Sequence, residues 1–511
     1  MSTDSGYDPI LRPLHNTRRG HFALLVSLGI VTLWFLFAWI VQLRGGMMQT
    51  TSIGDWGISG GVPWGLYIGA FVWWIGIAHG GIAISAAVTV FKIERFRPIA
   101  RIAELLTIFA LGMAAANIVF SLGRPDRIFN SILQWPFTVH HSPLAWDIAV
   151  ITLYLVLSLT YVTLSLRDEL SMLRHRLPWW LQPIYRVILL GFRPTESKKM
   201  DQIKWWLALA ILALVPLLSG GVVPWLFGLI PAQPGWYGAA AGPSMLVESL
   251  TSAIAFVIIV VAGFRYAYGW HDIIEDQIFV DLAKVLTFLT VATIWFVIHD
   301  VLTGIYLAPV HVGDITETLL ALPYFWLAIA GIILPFIYLA ATLIRPEWFS
   351  IPVVVIASGS IAISILNKKV MFIVEGLMHP TVPPLSNLYP TGSYFPNWIE
   401  WSLVLGTIAL VGLAFVIVSK VIPMVEYEAV TADRSDDDLA DSTRSEFAFE
   451  ESTVETDRPE LDSESTAGEL KTTAEATESA PENDQPPDDR QSDSPSQDDS
   501  DMKTDTNGGD D

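Results

Sequence analysis

The chain has 511 residues, of which 52% are apolar or aromatic and 16% are charged, and its mean hydropathy is +0.47. A soluble domain carries about a quarter charged residues, so the composition excludes an ordinary water-soluble enzyme. The absence of cysteine excludes disulfides, thiolate zinc sites, iron–sulfur clusters ligated by this chain, thioether-linked haem and a cysteine nucleophile.

The net charge of −21 is unevenly placed. Residues 424–511 hold 29 acidic and 6 basic groups, a net of −23, which leaves 24 basic and 22 acidic groups, a net of +2, for residues 1–423. The sequence therefore divides into a short N-terminal segment (1–20), a nearly neutral apolar body (21–423) and an acidic tail (424–511). No basic patch or fold signature points to nucleic acid.

A bilayer core of about 30 Å takes roughly 20 apolar residues per helix, and the body offers ten such stretches. They fall near His21–Leu43, Val62–Phe91, Ile99–Leu122, Leu144–Leu166, Ile203–Leu226, Ser244–Tyr268, Leu282–Ala308, Leu320–Ile344, Ile351–Phe372 and Asn397–Lys420. Pro216 and Gly220-Gly221 interrupt the fifth, and the ninth can run past Lys368-Lys369 to Leu377, so nine and eleven spans bracket the expected ten. The fold class predicted is an all-α polytopic membrane protein.

Translocating cationic loops is disfavoured. With the N-terminus cytoplasmic, 19 of the 24 basic groups in the body fall on the inner side, and Arg44, Arg124, Arg127, Lys368 and Lys369 fall outside. Both termini are therefore expected in the cytoplasm, in a multi-pass protein of the cell membrane. Thr17-Arg18-Arg19 faintly resembles a twin-arginine export signal, but the apolar run after it is too long and lacks a cleavage site, so an inward positive anchor is the better account. The tail is rich in Asp, Glu, Ser and Thr and lacks the apolar surface to offset ordering entropy, which predicts disorder. A solvated polyanion suited to very high salt, the signature of a halophile, is preferred to an interaction tail.

Ionisable groups at bilayer depth are costly and each is a functional hypothesis, with structural pairing as the alternative. His79 stands near the middle of the second span, flanked by Gly65/Gly69 and Gly76/Gly80, small-residue pairs that admit a neighbouring helix. It is either packing glue or a proton-handling ligand, and imidazole titrates near neutral pH. Glu104, in the third span, either pairs with Arg101 or lies on a proton path; Asn117 follows toward the outer end. Asp147 and Glu248 open spans from the outside, where the helix macrodipole would favour them. His299-Asp300 is a second costly cluster. Only His79 and His299 lie well inside spans, so at most one bis-histidine haem could be ligated; haem is not expected, since buried His has many other roles, and the 20 Trp are read mostly as an interfacial belt. In the long outer loop, Arg124 and Arg127 are either a docking surface or an Arg–Asp turn closed on itself. His140-His141 lacks a third ligand at a metal-binding spacing, so no metal is expected.

Taken together, Phe71-Val-Trp-Trp-Ile-Gly-Ile-Ala-His79-Gly-Gly with Ile84-Ser85-Ala86, Ala103-Glu104 to Phe109, Leu122-Gly-Arg-Pro125 and Ser142-Pro-Leu-Ala-Trp-Asp147 resemble the NrfD/polysulfide-reductase membrane-subunit family. Among its branches they are most similar to the quinol-oxidising subunit of alternative complex III. The resemblance covers about residues 60–166 well and the second half poorly. It implies two four-helix bundles with flanking helices, no haem or iron–sulfur cluster in this chain, and menaquinol or menaquinone as substrate. It also implies catalytic roles for His79, Glu104 and Asp147, a quinone pocket near the outer face at His79, Asn117 and Asp147, and docking of the iron–sulfur partner near Arg124 and Arg127. The implied function is a quinone-reactive subunit of a respiratory oxidoreductase, with an iron–sulfur subunit and a molybdopterin or multihaem subunit as partners. Val223-Pro-Trp-Leu-Phe227 departs from the pattern expected between spans five and six, so ion translocation is not implied. The rival reading is a proton-coupled secondary transporter using His79, Glu104 and His299. Paired broken helices would mark one, and Gly60-Gly-Val-Pro-Trp64 against Gly220-Gly-Val-Val-Pro-Trp225 is a faint echo of that kind. In a third reading the chain is purely a structural anchor, with all its buried charges paired off.

Overall fold

A computed structural model describes residues 12–14, 19–53, 64–138, 140–173, 179–191, 197–230, 233, 235–236, 238, 240–306, 310–378 and 392–426. The disorder predicted for the acidic tail concerns residues that, beyond Glu426, lie outside this set, as does Gly60–Pro63 of the glycine echo.

Among the described residues, ten helices are long and apolar enough to cross a membrane. They are α1 (Arg19–Gly45), α2 (Leu66–Thr89), α3 (Arg97–Ser121), α4 (Pro143–Leu173), α5 (Ser197–Leu217 and onward), α6 (Ala241–Tyr268), α7 (Asp276–Tyr306), α8 (Pro323–Ile344), α9 (Ile351–Met378) and α10 (Trp398–Val418). No strand occurs among the described residues. Ten crossings return the chain to the face from which α1 sets out, here called the terminal face.

The fifth span is not broken. It continues from Leu217 through a π-helical turn, Leu218–Val222, into Val223–Gly228. Pro216 and Pro224 each withhold a backbone N–H, and Gly220-Gly221 has little preference of its own, so the ladder widens there without parting. The ninth span does run on, with Lys368 and Lys369 inside α9 and not in an outer loop. That removes both lysines from the outer-side charge tally and sharpens the asymmetry.

Packing sorts the helices into two rings. α2, α3, α4 and α5 contact one another in cyclic order, as do α6, α7, α8 and α9, while α1 pairs with α10 and that pair lies against α2 and α3. α2 is the hub, touching α6 and α9 of the second ring as well as its own neighbours. Its glycines explain how. A Cβ at Gly69 would meet Val370 of α9, one at Gly76 would lie 3.0 Å from the Ser249 Cα of α6, and one at Gly81 would collide with the Ala103 carbonyl of α3. Without side chains at these points three helices approach one, and dispersion stabilises what apolar lipid cannot drive. α2 is accordingly buried on every side, as an all-round apolar helix should be. Trp73 and Trp74 depart from the interfacial belt. Both are buried mid-helix and donate from Nε1, to the Ala362 carbonyl and to Thr407 Oγ1, each at 2.9 Å.

Candidate functional site

His79 occupies the centre of the first ring and is fully buried. Its Nε2 shares a 2.6 Å hydrogen bond with Ser219 Oγ, and the serine belongs to the π turn of α5. Its Nδ1 has no partner among the described residues. The Tyr154 ring of α4 lies nearly parallel to the imidazole, centroids 6.0 Å apart and planes 20° apart. Tyr154 Oη and Thr107 Oγ1 both donate to the Ala78 carbonyl, at 3.2 and 2.6 Å, and Thr107 accepts from the Gly81 N–H. Two helices, α3 and α4, thus hold the α2 backbone beside the histidine. π turns recur at functional sites because they re-aim side chains that a regular helix would direct elsewhere. Ser219 and Tyr154 carried no motif, and only the Pro–Gly irregularity near Ser219 hinted at a special position.

Asp147 lies two turns from Tyr154 on the same face of α4, roughly 10 Å away toward the face opposite the termini. It is fully buried, and neither carboxylate oxygen has a hydrogen-bond partner among the described residues. α4 begins at Pro143, so Asp147 sits just beyond the first turn, where the macrodipole's benefit is fading. Burying an unpaired carboxylate is costly, and nothing around Asp147 explains that cost structurally. Asn117 is also buried. Its Nδ2 donates to the Met113 carbonyl at 2.8 Å, and its Oδ1 is unpartnered. It lies roughly 15 Å along α3 from Thr107, toward the same face as Asp147. No hydrogen bond joins His79, Asn117 and Asp147 among the described residues; they are spread along the inside of the first ring.

On the other side of His79, toward the terminal face, Glu104 Oε1 accepts a hydrogen bond from Ser85 Oγ, and its Oε2 has no partner among the described residues. Of the two readings of Glu104, the pair with Arg101 is not formed among the described residues. Arg101 is bidentate to Glu169 of α4, with Nη2 to Oε1 at 3.1 Å. Glu104, Ser85, Thr107, Ser158 and Tyr161 line a small cleft with free space of about the size of one water. A file of polar groups therefore runs through the first ring from Asp147, past His79, to Glu104.

The second ring carries charges of its own. Glu248 does not sit at a helix terminus. It lies two turns into α6, buried, where Lys368 and Lys369 of α9 both bind its carboxylate. Lys368 also reaches Asp300 of α7 at 3.3 Å. The two lysines, adjacent in α9, converge on one carboxylate because α6 and α9 pack face to face. Sequence alone showed each charge but not the pairing.

In the loop after α3, Arg124 is paired with Asp126 of the same turn, at 3.1 Å from Nε and 3.0 Å from Nη2. The hydrogen bond from Arg124 holds the Asp126 carboxyl below its ordinary range. Arg124 is thus engaged in its own turn, while Arg127 is exposed. The rings of His140 and His141 lie 3.9 Å apart. No cluster of three metal-ligating side chains is present among the described residues.

The model of the polysulphide reductase NrfD family matches residues 56–381. The chain belongs to that family. The matched stretch takes in α2 to α9, hence both helical rings, and leaves the α1–α10 pair outside. Among known relatives, a selenate reductase subunit of Mesobacillus selenatarsenatis is 23% identical over 79% of this chain and 94% of its own length. An Hdr-like menaquinol oxidoreductase integral membrane subunit of Archaeoglobus fulgidus is 22% identical over 80% of this chain and 95% of its own. A putative dimethyl sulfoxide reductase membrane subunit of Halobacterium salinarum is 27% identical over 49% of this chain and 53% of its own length. With its ten apolar helices, this member of the NrfD family is a multi-pass membrane protein.

Proposed function

We propose that the chain is the quinone-reactive membrane subunit of a molybdopterin-type respiratory oxidoreductase, exchanging electrons between menaquinol and an iron–sulfur partner. The observation that carries this reading is that one helical ring holds both His79, oriented by Ser219 in a π turn, and the buried carboxylate of Asp147, which has no hydrogen-bond partner among the described residues and lies two turns along α4 from Tyr154. Oxidising a quinol removes two electrons and two protons. A neutral imidazole can accept a hydroxyl proton, and a buried carboxylate gains stability by taking one. Asn117, whose Oδ1 is unpartnered, is positioned to accept a hydrogen bond from the second hydroxyl. The electrons pass to a cluster in the partner subunit, which docks on the face opposite the termini at the exposed Arg127. The relatives named for reductases of selenate and dimethyl sulfoxide and for menaquinol oxidation support this assignment. The termini lie in the cytoplasm, because basic residues gather on the terminal face.

The test is purification of the tagged chain from membranes in mild detergent, with mass spectrometry of what accompanies it. Iron–sulfur and molybdopterin or multihaem subunits are expected. A chain that emerges alone, intact and monodisperse would overturn the proposal. In the purified complex, His79→Ala should lower quinol-dependent electron transfer by about 10²–10⁴-fold, the range for a positioned acid–base group, while the partner subunits still co-purify.

A further inference from the structure

At the terminal face the chain folds back on itself after α10. Ile422, Met424 and Val425 are buried against the first ring, and Tyr185 Oη donates to the Val421 carbonyl at 2.6 Å. Lys420 Nζ donates to the Pro13 carbonyl at 2.6 Å. This short strap delivers Glu426 to the start of α3, 3.6 Å from Arg97 and 3.9 Å from Arg101. Arg101 is only 1% exposed at its side chain and is bidentate to Glu169 through Nη1 and Nη2, the nitrogen that Glu426 also approaches. Guanidinium stays charged at any physiological pH, so Arg101 does not itself carry a proton; it gathers two carboxylates from distant parts of the chain around one buried charge. Glu104 lies one turn deeper on the same helix, beside the water-sized cleft, with Oε2 unpartnered. Glu426 is 16% exposed at its side chain and Glu104 is buried, so the acids form a gradient from the terminal face inward.

We propose that Glu169 and Glu426, clamped on Arg101, are the port through which protons pass between terminal-face water and Glu104, and that the strap of residues 420–426 seals this port against direct entry of bulk water. The step is a proton transfer only: a carboxyl at the port gives its proton, through a water in the cleft, to the Glu104 carboxylate, or takes one in the reverse direction. Arg101 keeps an emptied Glu169 in place by charge-assisted hydrogen bonding and holds Glu426 by charge alone. The inference rests on the proposed quinol chemistry, because the protons in question are those released or taken up at His79 and Asp147.

The experiment uses the complete complex in sealed vesicles, with a trapped and an external pH dye and a quinol as reductant. Electron transfer and proton exchange at each face are recorded together. Removing residues 430–511 should leave both unchanged. Glu426→Gln and Glu169→Gln should slow proton exchange at the terminal face by about 10²-fold, and Glu426→Asp should restore part of it. Truncation after Ser419 should make the exchange leaky, collapsing any pH difference between the faces. Each variant is checked for co-purifying partner subunits, so that a misfolded protein is not scored. Normal proton exchange in assembled Glu426→Gln and Glu169→Gln complexes would overturn the port. Failure of the quinol reading itself would look different, as wild-type complex whose quinol turnover is indifferent to His79→Ala.

Discussion

His79 illustrates how much one side chain owes to its neighbours. An imidazole in mid-membrane has two ring nitrogens to satisfy, and here one is taken by Ser219 and the other has no partner among the described residues. Ser219→Ala removes the group that fixes the ring, and a lost buried hydrogen bond of about 1–3 kcal/mol translates into roughly a tenfold or greater fall in quinol-dependent turnover, measured in the purified complex. Asp147→Asn keeps the shape and removes the proton acceptor. Weaker quinone binding or slower oxidation is expected, and unchanged kinetics would reduce Asp147 to a helix charge. The second ring gives a residue-scale prediction about stability. Glu248→Ala leaves Lys369, 3% exposed, without its carboxylate. Breaking a buried pair costs about 3–5 kcal/mol, so the detergent-solubilised complex should lose stability in a thermal-melt assay, whereas Asp300→Asn, at a half-exposed carboxylate, should cost far less.

Helices are where the sequence was most and least informative. Long apolar runs announced every span, because a bilayer imposes a length and a composition that soluble helices need not meet. The interruption at Pro216 and Gly220-Gly221 was visible too, but read as a break. Whether a proline–glycine stretch ends a helix or widens it depends on what packs against it, and here Gly242 of α6, lacking a Cβ, lets that helix come close to the Gly220 carbonyl. α2 makes the converse point: its glycines were legible as close-approach positions, yet which helix each one admits was not. Gly81→Val should force α2 from α3, since even a Cβ would strike the Ala103 carbonyl. Overpacking of this kind costs about 1–3 kcal/mol or more, and a fall in assembled complex at unchanged expression is the measurement.

For the whole molecule, two rings sharing the hub α2 place the polar file in one half and the lysine–carboxylate cluster in the other. The family match covers both rings, so the division is the family's core, with α1 and α10 added beside it. The acidic tail of residues 424–511, which carries the chain's net charge, starts within the last residues of the strap. Deleting residues 430–511 should leave electron transfer untouched and lower solubility in molar salt, as assayed by quinol turnover and by sedimentation. A loss of turnover would make the tail a docking element. The relative from Halobacterium salinarum accords with the halophile reading of that composition.

What the sequence by itself determined is what depends on composition and local order: ten crossings, a charge asymmetry between faces, the absence of thiolate chemistry, and the costly residues His79, Glu104, Asp147 and Glu248. Each of these follows from the free-energy cost of a polar group in hydrocarbon, which arises residue by residue and so is written in the chain. Only the tertiary structure decided the partners. Ser219 reaches His79 across 140 positions, Glu169 takes Arg101 across 68, and Lys368 meets Glu248 across 120. These pairings arise from how glycine-lined helices approach one another, and contact between distant segments leaves no mark in the periodicity of either.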